Sequence, residues 1–424
     1  MSFPKAEMVR EWFYLNGKKD IEGVSHLSRP YRILILARSY PNTLLPELGL
    51  WVKRLVHHCA GPCELKVISP VPYFPPVKSF ERYSRFRNIE RHSIEDSVEI
   101  FHPRFLVGFG RSLYLTEAFS YYLGVRSTID KLHRQSAFDL IHAHFIYPDG
   151  VVGAWLGQRY NIPVVVTEHA PWMPNWIDKN RLVRWQAVNA AKKCAFLISV
   201  SSSVKDTIVH FTGQPEKIRV IPIGVDGSFF TAPKNGDIVK KNQVLYVGFI
   251  NFNKGVDLLL KAIKCVLKTR PDTKLVMVGG GFYNDTMKQE RCLHAMAEDM
   301  GLDGKVEFTG IKSPAEVAKY MKESAFLVLP SRAESFGAVL VEALACGRPV
   351  IATRCGGPED IVNDNVGVLI PREDPTVLAH TIEQMLARQQ EYNSVKIRDY
   401  AIEKFSWGQV AKKTINLYKE IIQK

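Results

Sequence analysis

The chain has 424 residues, 46% of them hydrophobic and 23% charged, with a formal net charge of +13. That length exceeds one typical core and points to two domains of about 200 residues each, and the composition excludes wholesale disorder. No stretch approaches the roughly 18 consecutive apolar residues of a membrane span, and the opening MSFPKAEMVREWFYLNGKKD mixes acids and bases without the apolar core of a signal peptide. The charge excess is lopsided: residues 1–225 hold 29 Lys/Arg against 19 Asp/Glu, whereas 226–424 hold 27 against 24. A basic half of this kind suits nucleic acid, an anionic membrane face or an anionic substrate. The seven cysteines (Cys59, Cys63, Cys194, Cys265, Cys292, Cys346 and Cys355) are scattered. The Cys59/Cys63 pair has no second pair at metal-ligand spacing, so all seven read as thiols of a reducing, cytoplasmic compartment.

Residues 1–30 form an N-terminal extension. From Tyr31 the pattern predicts alternating strands and helices. YRILILA is a short buried strand that ends in the turn-prone RSYPNT, and LKVISP, FDLIHAHF, IPVVVTEH and FLISVS follow as further strands. Segments of helical period such as GVVGAWLGQRY separate them, which makes residues 31–225 one Rossmann-like domain with a parallel, doubly wound sheet. The polar stretch KNGDIVKKNQ after IPIGVDGSFFTAP marks a linker over 226–242. The grammar then restarts over 243–401. VLYVGFI, KLVMVGGG, KVEFTG, AFLVLPS and PVIATR are strands; GVDLLLKAIKCVLKT, PAEVAKYMKES and FGAVLVEALACG are helices. Residues 402–424 close the chain with apolar residues at helical spacing. The fold class is therefore α/β, with two Rossmann-like domains facing a cleft. Ligands of such open sheets bind beyond the carboxyl ends of the strands.

One such strand end carries two glutamates, Glu334 in the loop after AFLVLPS and Glu342 inside the apolar run AVLVEALA. The backbone N–H groups of Phe336, Gly337 and Ala338 are the unpaired donors of a helix N-terminus, a ready anion site, and Gly337 lets a ligand approach the backbone closely. Carboxylates beside that site would repel phosphate. They suit sugar hydroxyls, which donate strongly to charged acceptors. One acid before the helix and one within it can bind two hydroxylated groups flanking a diphosphate, and a nucleotide-sugar has that shape. The bland account is an amphipathic helix whose early acid is favoured by the macrodipole.

Pro330–Val362, with Glu-x7-Glu, EALACGRPVIAT and GGPEDIV, resembles the retaining GT-B glycosyltransferases of family 4. The likeness runs from about Tyr31 through PNTLLPELGLWVKR, ISPVPYFP, IHAHFIYPDG, TEHA, IPIGVD, VGFINFNKGVDLLLKAI and the closing FSW…LY. The first three are most similar to the branch that builds teichuronic-acid-like and exopolysaccharide chains on lipid carriers. The resemblance implies that the last helix crosses back to the first domain. It implies that Glu334 contacts the donor hexose, that the Phe336–Ala338 amides hold sugar and diphosphate, and that Glu342 binds the ribose. It also implies that Gly49 admits the diphosphate and that His169 stands beside the reacting sugar. The donor is expected to be a UDP- or GDP-sugar, with no cofactor or metal required. No Asp-x-Asp pair, which holds a divalent ion in the other large glycosyltransferase fold, occurs in the chain.

Lys254, between a strand and a helix, can neutralise a departing diphosphate. The family usually has an arginine directly after the strand's glycine; here that position is Phe249, and Arg332 is an alternative base. His142 and His144 in LIHAHF are expected to face opposite layers, with His144 toward the acceptor and His142 in packing. The basic stretch VKSFERYSRFRNIERHS (77–93) leads into the aromatic-rich FHPRFLVGFGRSLYLTEAFSYY. Bases interleaved with aromatics suit an anionic membrane face, or the diphosphate of a polyprenyl-linked or other glycan acceptor, for which Arg104 is the candidate. Nucleic acid is not expected, because no recognised module occurs. The expectation is a hexosyltransferase of cell-surface polysaccharide synthesis, cytoplasmic and at the inner face of the membrane. The alternatives are a sucrose- or trehalose-type synthase or epimerase acting on soluble molecules, and a non-catalytic nucleotide-sugar-binding subunit.

Overall fold

The computed structural model describes residues 29–73, 84–107, 116–170, 180–233, 239–281 and 284–424. The described chain divides into two compact units. One comprises residues 29–224 with Trp407–Lys424, the other Val225–Ser406.

The first unit contains strands β1 (Tyr31–Leu36), β2 (Cys63–Ile68), β3 (Val71–Tyr73), β4 (His92–Glu95) and β5 (Val98–Phe101). It continues with β6 (Arg104–Leu106), β7 (Leu140–His144), β8 (Val164–Glu168), β9 (Phe196–Ser199) and β10 (Ile218–Val220). Eight of them form one sheet in the order β10-β9-β8-β7-β1-β2-β5-β4, and β3 pairs with β6 apart from it. All pairings in the large sheet are parallel except the hairpin β4–β5. Parallel strands covered on both faces read as continuous apolar runs, and β7 and β8 are buried at every position. Strand order reverses between β1 and β7, so a crevice opens beyond the carboxyl ends of these strands.

The last helix, Trp407–Ile422, belongs to this unit. Its apolar stripe of Val410, Ala411, Ile415 and Tyr418 joins one core with Val52 and Val56 of the helix Leu50–Cys59, as helical spacing dictates. Residues 402–424 are not one helix. Residues 402–405 end the helix Ser394–Phe405, and Ser406 turns extended at φ −61°, ψ 147° before the last helix begins.

The second unit holds β11 (Lys240–Val247), β12 (Lys274–Val278), β13 (Val306–Gly310), β14 (Ser324–Leu329), β15 (Val350–Thr353) and β16 (Gly367–Ile370). They form a wholly parallel sheet in the order β13-β12-β11-β14-β15-β16. Counted within the unit this is the doubly wound order 3-2-1-4-5-6, with its switch point between β11 and β14. β11 starts at Lys240, inside the stretch expected as linker, and Val225 is already bonded to Phe405 O at 2.7 Å. Arg398 donates to the carbonyls of Gly227 and Phe230, so polar composition there hides ordered backbone.

Candidate functional site

At the switch point of the second unit, the turn after β11 brings Lys254 to the loop after β14. Gly255 makes the turn: its φ is 68°, and a Cβ there would stand 1.9 Å from Pro330 O, so only glycine fits. Lys254 N–H donates to Asn251 Oδ1 at 2.9 Å, and its Nζ donates to Glu334 Oε1 at 2.5 Å. Ser331 Oγ donates to the same oxygen at 2.7 Å. The backbone of Glu334 is tied on both sides, its N–H to Cys355 O and its carbonyl to Gly357 N–H. Glu334 is 8% exposed, and the Lys254 side chain 22%. A carboxylate this buried needs such a charge-assisted partner.

Gly337 caps the helix Ala338–Ala345 with a left-handed φ of 93°. The first amides of that helix have no intrahelical acceptor by geometry. Phe336 is buried against Phe405, 5.9 Å between ring centres, which anchors the loop. Glu342 lies half-buried on the helix. Arg332, the alternative base, is already paired within the unit. Its guanidinium pairs with Asp257 at 2.7 and 3.0 Å and with Glu373 at 2.7 and 3.0 Å, and it also donates to Phe252 O. Phe249, in the place where an arginine is usual, is 45% exposed, and its carbonyl accepts from Tyr246 Oη at 2.6 Å.

In the first unit, Gly49 caps the helix Leu50–Cys59 at φ 70°, and a Cβ would lie 1.9 Å from Ser39 O. The glycine is thus required by the turn itself. His142, His144 and His169 gather at the ends of β7 and β8. The expectation that His142 and His144 face opposite layers is wrong. Side chains two apart on a strand share a face, and their rings stack 4.5 Å apart. His142 is pinned at both nitrogens, 2.6 Å from Tyr418 Oη and 2.7 Å from Thr167 Oγ1. His144, only 1% exposed, is turned inward to His169, with Nδ1 to Nε2 at 3.0 Å; it does not present its ring to an acceptor. Burial pushes the imidazoles of His142 and His169 down to about 3, and that of His144 well below its usual range, so all three are neutral near pH 7.

Glu168 positions His169 from below. Its carboxylate accepts the backbone N–H groups of Ile146, His169 and Ala170 at 2.8–2.9 Å, joining the loops after β7 and β8. Burial raises its acid to about 7, as it does that of Asp149, which accepts from Arg38 N–H and Tyr121 Oη. His144 and His169 line a cavity of about 20 Å³ together with Trp51, Leu55, Val200, Ile223 and Trp407. Arg104 is also turned inward, against expectation: it donates to the carbonyls of His102, Ile89 and Arg87, closing an irregular segment. The expected basic stretch is described only from residue 84, and its Lys78 and Arg82 lie outside the described residues. Ser331, Trp51 and the Asp257–Glu373 clamp on Arg332 were missed from sequence, because none of them carries a motif of its own.

Two doubly wound units, each with polar side chains gathered at its switch point, are the parts from which the GT-B fold is built. The model for Glycosyltransferase Family 4 matches residues 90–229, and that for Glycosyl transferases group 1 matches residues 229–403. Together the two models identify the chain as a glycosyltransferase of the GT-B type. An uncharacterised glycosyltransferase of Methanocaldococcus jannaschii is 28% identical over 370 residues, 84% of this chain and 99% of the relative. Among solved structures, sucrose-phosphate synthase from Thermosynechococcus elongatus superposes with a TM-score of 0.74 at 19% identity, covering 93% of this chain and all of that one (100%). The Anabaena protein HepE, solved with UDP and glucose, gives 0.68 at 20% identity over 91% and 99% of the two chains. No helix among the described residues is long and apolar enough to cross a membrane.

Proposed function

We propose that the chain transfers a hexose, with retention, from a UDP- or GDP-sugar to a glycan or polyprenyl-diphosphate-linked acceptor in cell-surface polysaccharide synthesis, without a required metal. The observation that carries this reading is the Lys254–Glu334 ion pair at the switch point, beside the open N-terminus of the Ala338 helix. Glu334 would accept from hydroxyls of the hexose, the amides of residues 336–338 would meet the diphosphate, and Glu342 would accept from the ribose. The bond between the anomeric carbon and the diphosphate oxygen breaks while the acceptor oxygen joins that carbon from the same face. The departing diphosphate takes the acceptor's proton. Lys254 then shifts from Glu334 toward the growing phosphate charge, where electrostatic stabilisation contributes most. His169, neutral at pH 7, would add no charge that repels the positive anomeric centre. UDP is the favoured base because HepE was solved with it.

The lipid-linked acceptor draws support from the surface of the first unit. Leu106 is 58% exposed, Phe119 54% and Leu123 51%, and Arg85 and Arg87 are exposed as well. Basic residues near anionic lipid contribute about 1 kcal/mol each. Pelleting with anionic vesicles separates this from a soluble acceptor of the kind that the likeness to sucrose-phosphate synthase would suggest. The decisive test is calorimetric titration of UDP- and GDP-sugars, without metal, into wild type and Glu342→Ala. Tight binding of one nucleotide, lost in the variant, is expected. Binding that survives the substitution would remove the ribose contact, and no binding with no slow donor hydrolysis would favour a non-catalytic subunit with Phe249 as the cause.

A further inference from the structure

We infer that His144 is a positioning residue that fixes the ring plane and tautomer of His169; the inference rests on the reading that His169 stands beside the reacting sugar. Three observations carry it. First, the two rings lie within 17° of one plane, joined Nδ1 to Nε2 at 3.0 Å, so the contact is an in-plane hydrogen bond. Second, His144 cannot swing away. It is fully enclosed, stacked on His142 at 4.5 Å, and His142 is held at both nitrogens by Thr167 and by Tyr418 of the last helix. Third, His144 Nε2 and His169 Nδ1 are both buried and have no partner among the described residues. Among the described residues, the His144–His169 bond is therefore the one polar contact either ring makes through nitrogen.

The consequence is a coupled choice. Two neutral imidazoles joined by one hydrogen bond share a single bridging proton, so the tautomer of one dictates that of the other. If His144 Nδ1–H donates, His169 carries its own proton on Nδ1, and that buried edge is a donor. If His169 Nε2–H donates, the same edge is an acceptor lone pair. A free histidine samples both forms. A locked pair presents one, which is what pre-organised charge stabilisation requires. A cavity of about 20 Å³ lies against both rings, walled mostly by apolar side chains such as Trp51, Leu55 and Val200.

The test is a two-bond proton–nitrogen correlation spectrum of protein labelled with nitrogen-15 histidine, with His169 assigned by its loss in His169→Ala. Wild type is expected to show His169 in one neutral tautomer. His144→Phe is expected to show averaged shifts for His169 and a kcat about 3- to 10-fold lower, the worth of one neutral hydrogen bond, with the donor KM unchanged. His144→Asn, whose amide reproduces the Nδ1 edge, is expected to restore both. Averaged shifts in wild type, or a single tautomer that persists in His144→Phe, would overturn the inference without needing any kinetic result. Wild-type turnover in His169→Ala would instead remove the catalytic reading of His169, leaving the nitrogen spectra to decide whether His144 positions it.

Discussion

Replacing Lys254 by methionine keeps most of the side-chain volume and removes one charge. In the folded unit this leaves Glu334, 8% exposed, with Ser331 Oγ as its remaining side-chain donor. Breaking a fully buried ion pair costs about 3–5 kcal/mol. The Lys254 side chain keeps 22% of its exposure, so the expected loss is nearer 2–3 kcal/mol, or a melting temperature about 5–10 °C lower for a unit of this size. Turnover should fall further than stability explains. Loss of a donor aimed at charge that grows in the transition state costs about 100- to 1000-fold in kcat with little change in KM. The double variant Lys254→Met/Glu334→Gln separates the two effects, because a neutral amide no longer suffers from burial. It should recover most of the melting temperature and none of the turnover. Differential scanning calorimetry and steady-state donor kinetics on the four proteins of this cycle provide the check. A single variant that turns over within about threefold of wild type would refute the role given to Lys254. A double variant no more stable than the single would show that the ion pair does not hold Glu334.

Gly49→Ala should destabilise by at least about 2 kcal/mol, because φ of 70° is unfavourable for alanine and its Cβ would meet Ser39 O at 1.9 Å; an unchanged melt would contradict this. Trp407→Ala should cost about 3–5 kcal/mol by opening a hole in the core that the last helix shares with the first half of the chain, measured as a lower denaturation midpoint in urea. The pH dependence follows from the buried groups of the first unit. His142, His144 and His169 have lowered values when folded, so their contribution is lost as pH falls below the unfolded value of 6.5. Glu168 and Asp149 have raised values, so theirs is complete below about 4 and lost as pH rises through about 7. Between pH 4.5 and 6.5 three imidazoles oppose two carboxyls, which leaves a net uptake of about one proton on unfolding and a loss of about 1.4 kcal/mol per pH unit on acidification. Glu168→Gln should steepen that slope, and a melting temperature that rises on acidification would show that the carboxyls dominate.

The α/β class and the doubly wound sheets were legible in the sequence because parallel strands covered on both faces must be apolar throughout. Runs such as YRILIL and VVVTE therefore announce themselves without any knowledge of their neighbours. The loop before the Ala338 helix was legible for a related reason: a glycine, an acid and a helix start form a local pattern, and local patterns survive in one dimension. What lay beyond reach was pairing across distance. That Lys254 reaches Glu334, that two carboxylates occupy Arg332, and that Arg104 closes backbone rather than facing solvent depend on which loops the strand order brings together. The histidines illustrate the division best. Residue spacing alone puts His142 and His144 on one face of β7, by the period of a strand. Only the register of β7 with β8 brings His169 within 3.0 Å of His144, and only the return of the last helix sets Tyr418 against His142. Burial periodicity is written residue by residue along the chain, whereas the partner of each polar group is decided by packing once the sheets have formed.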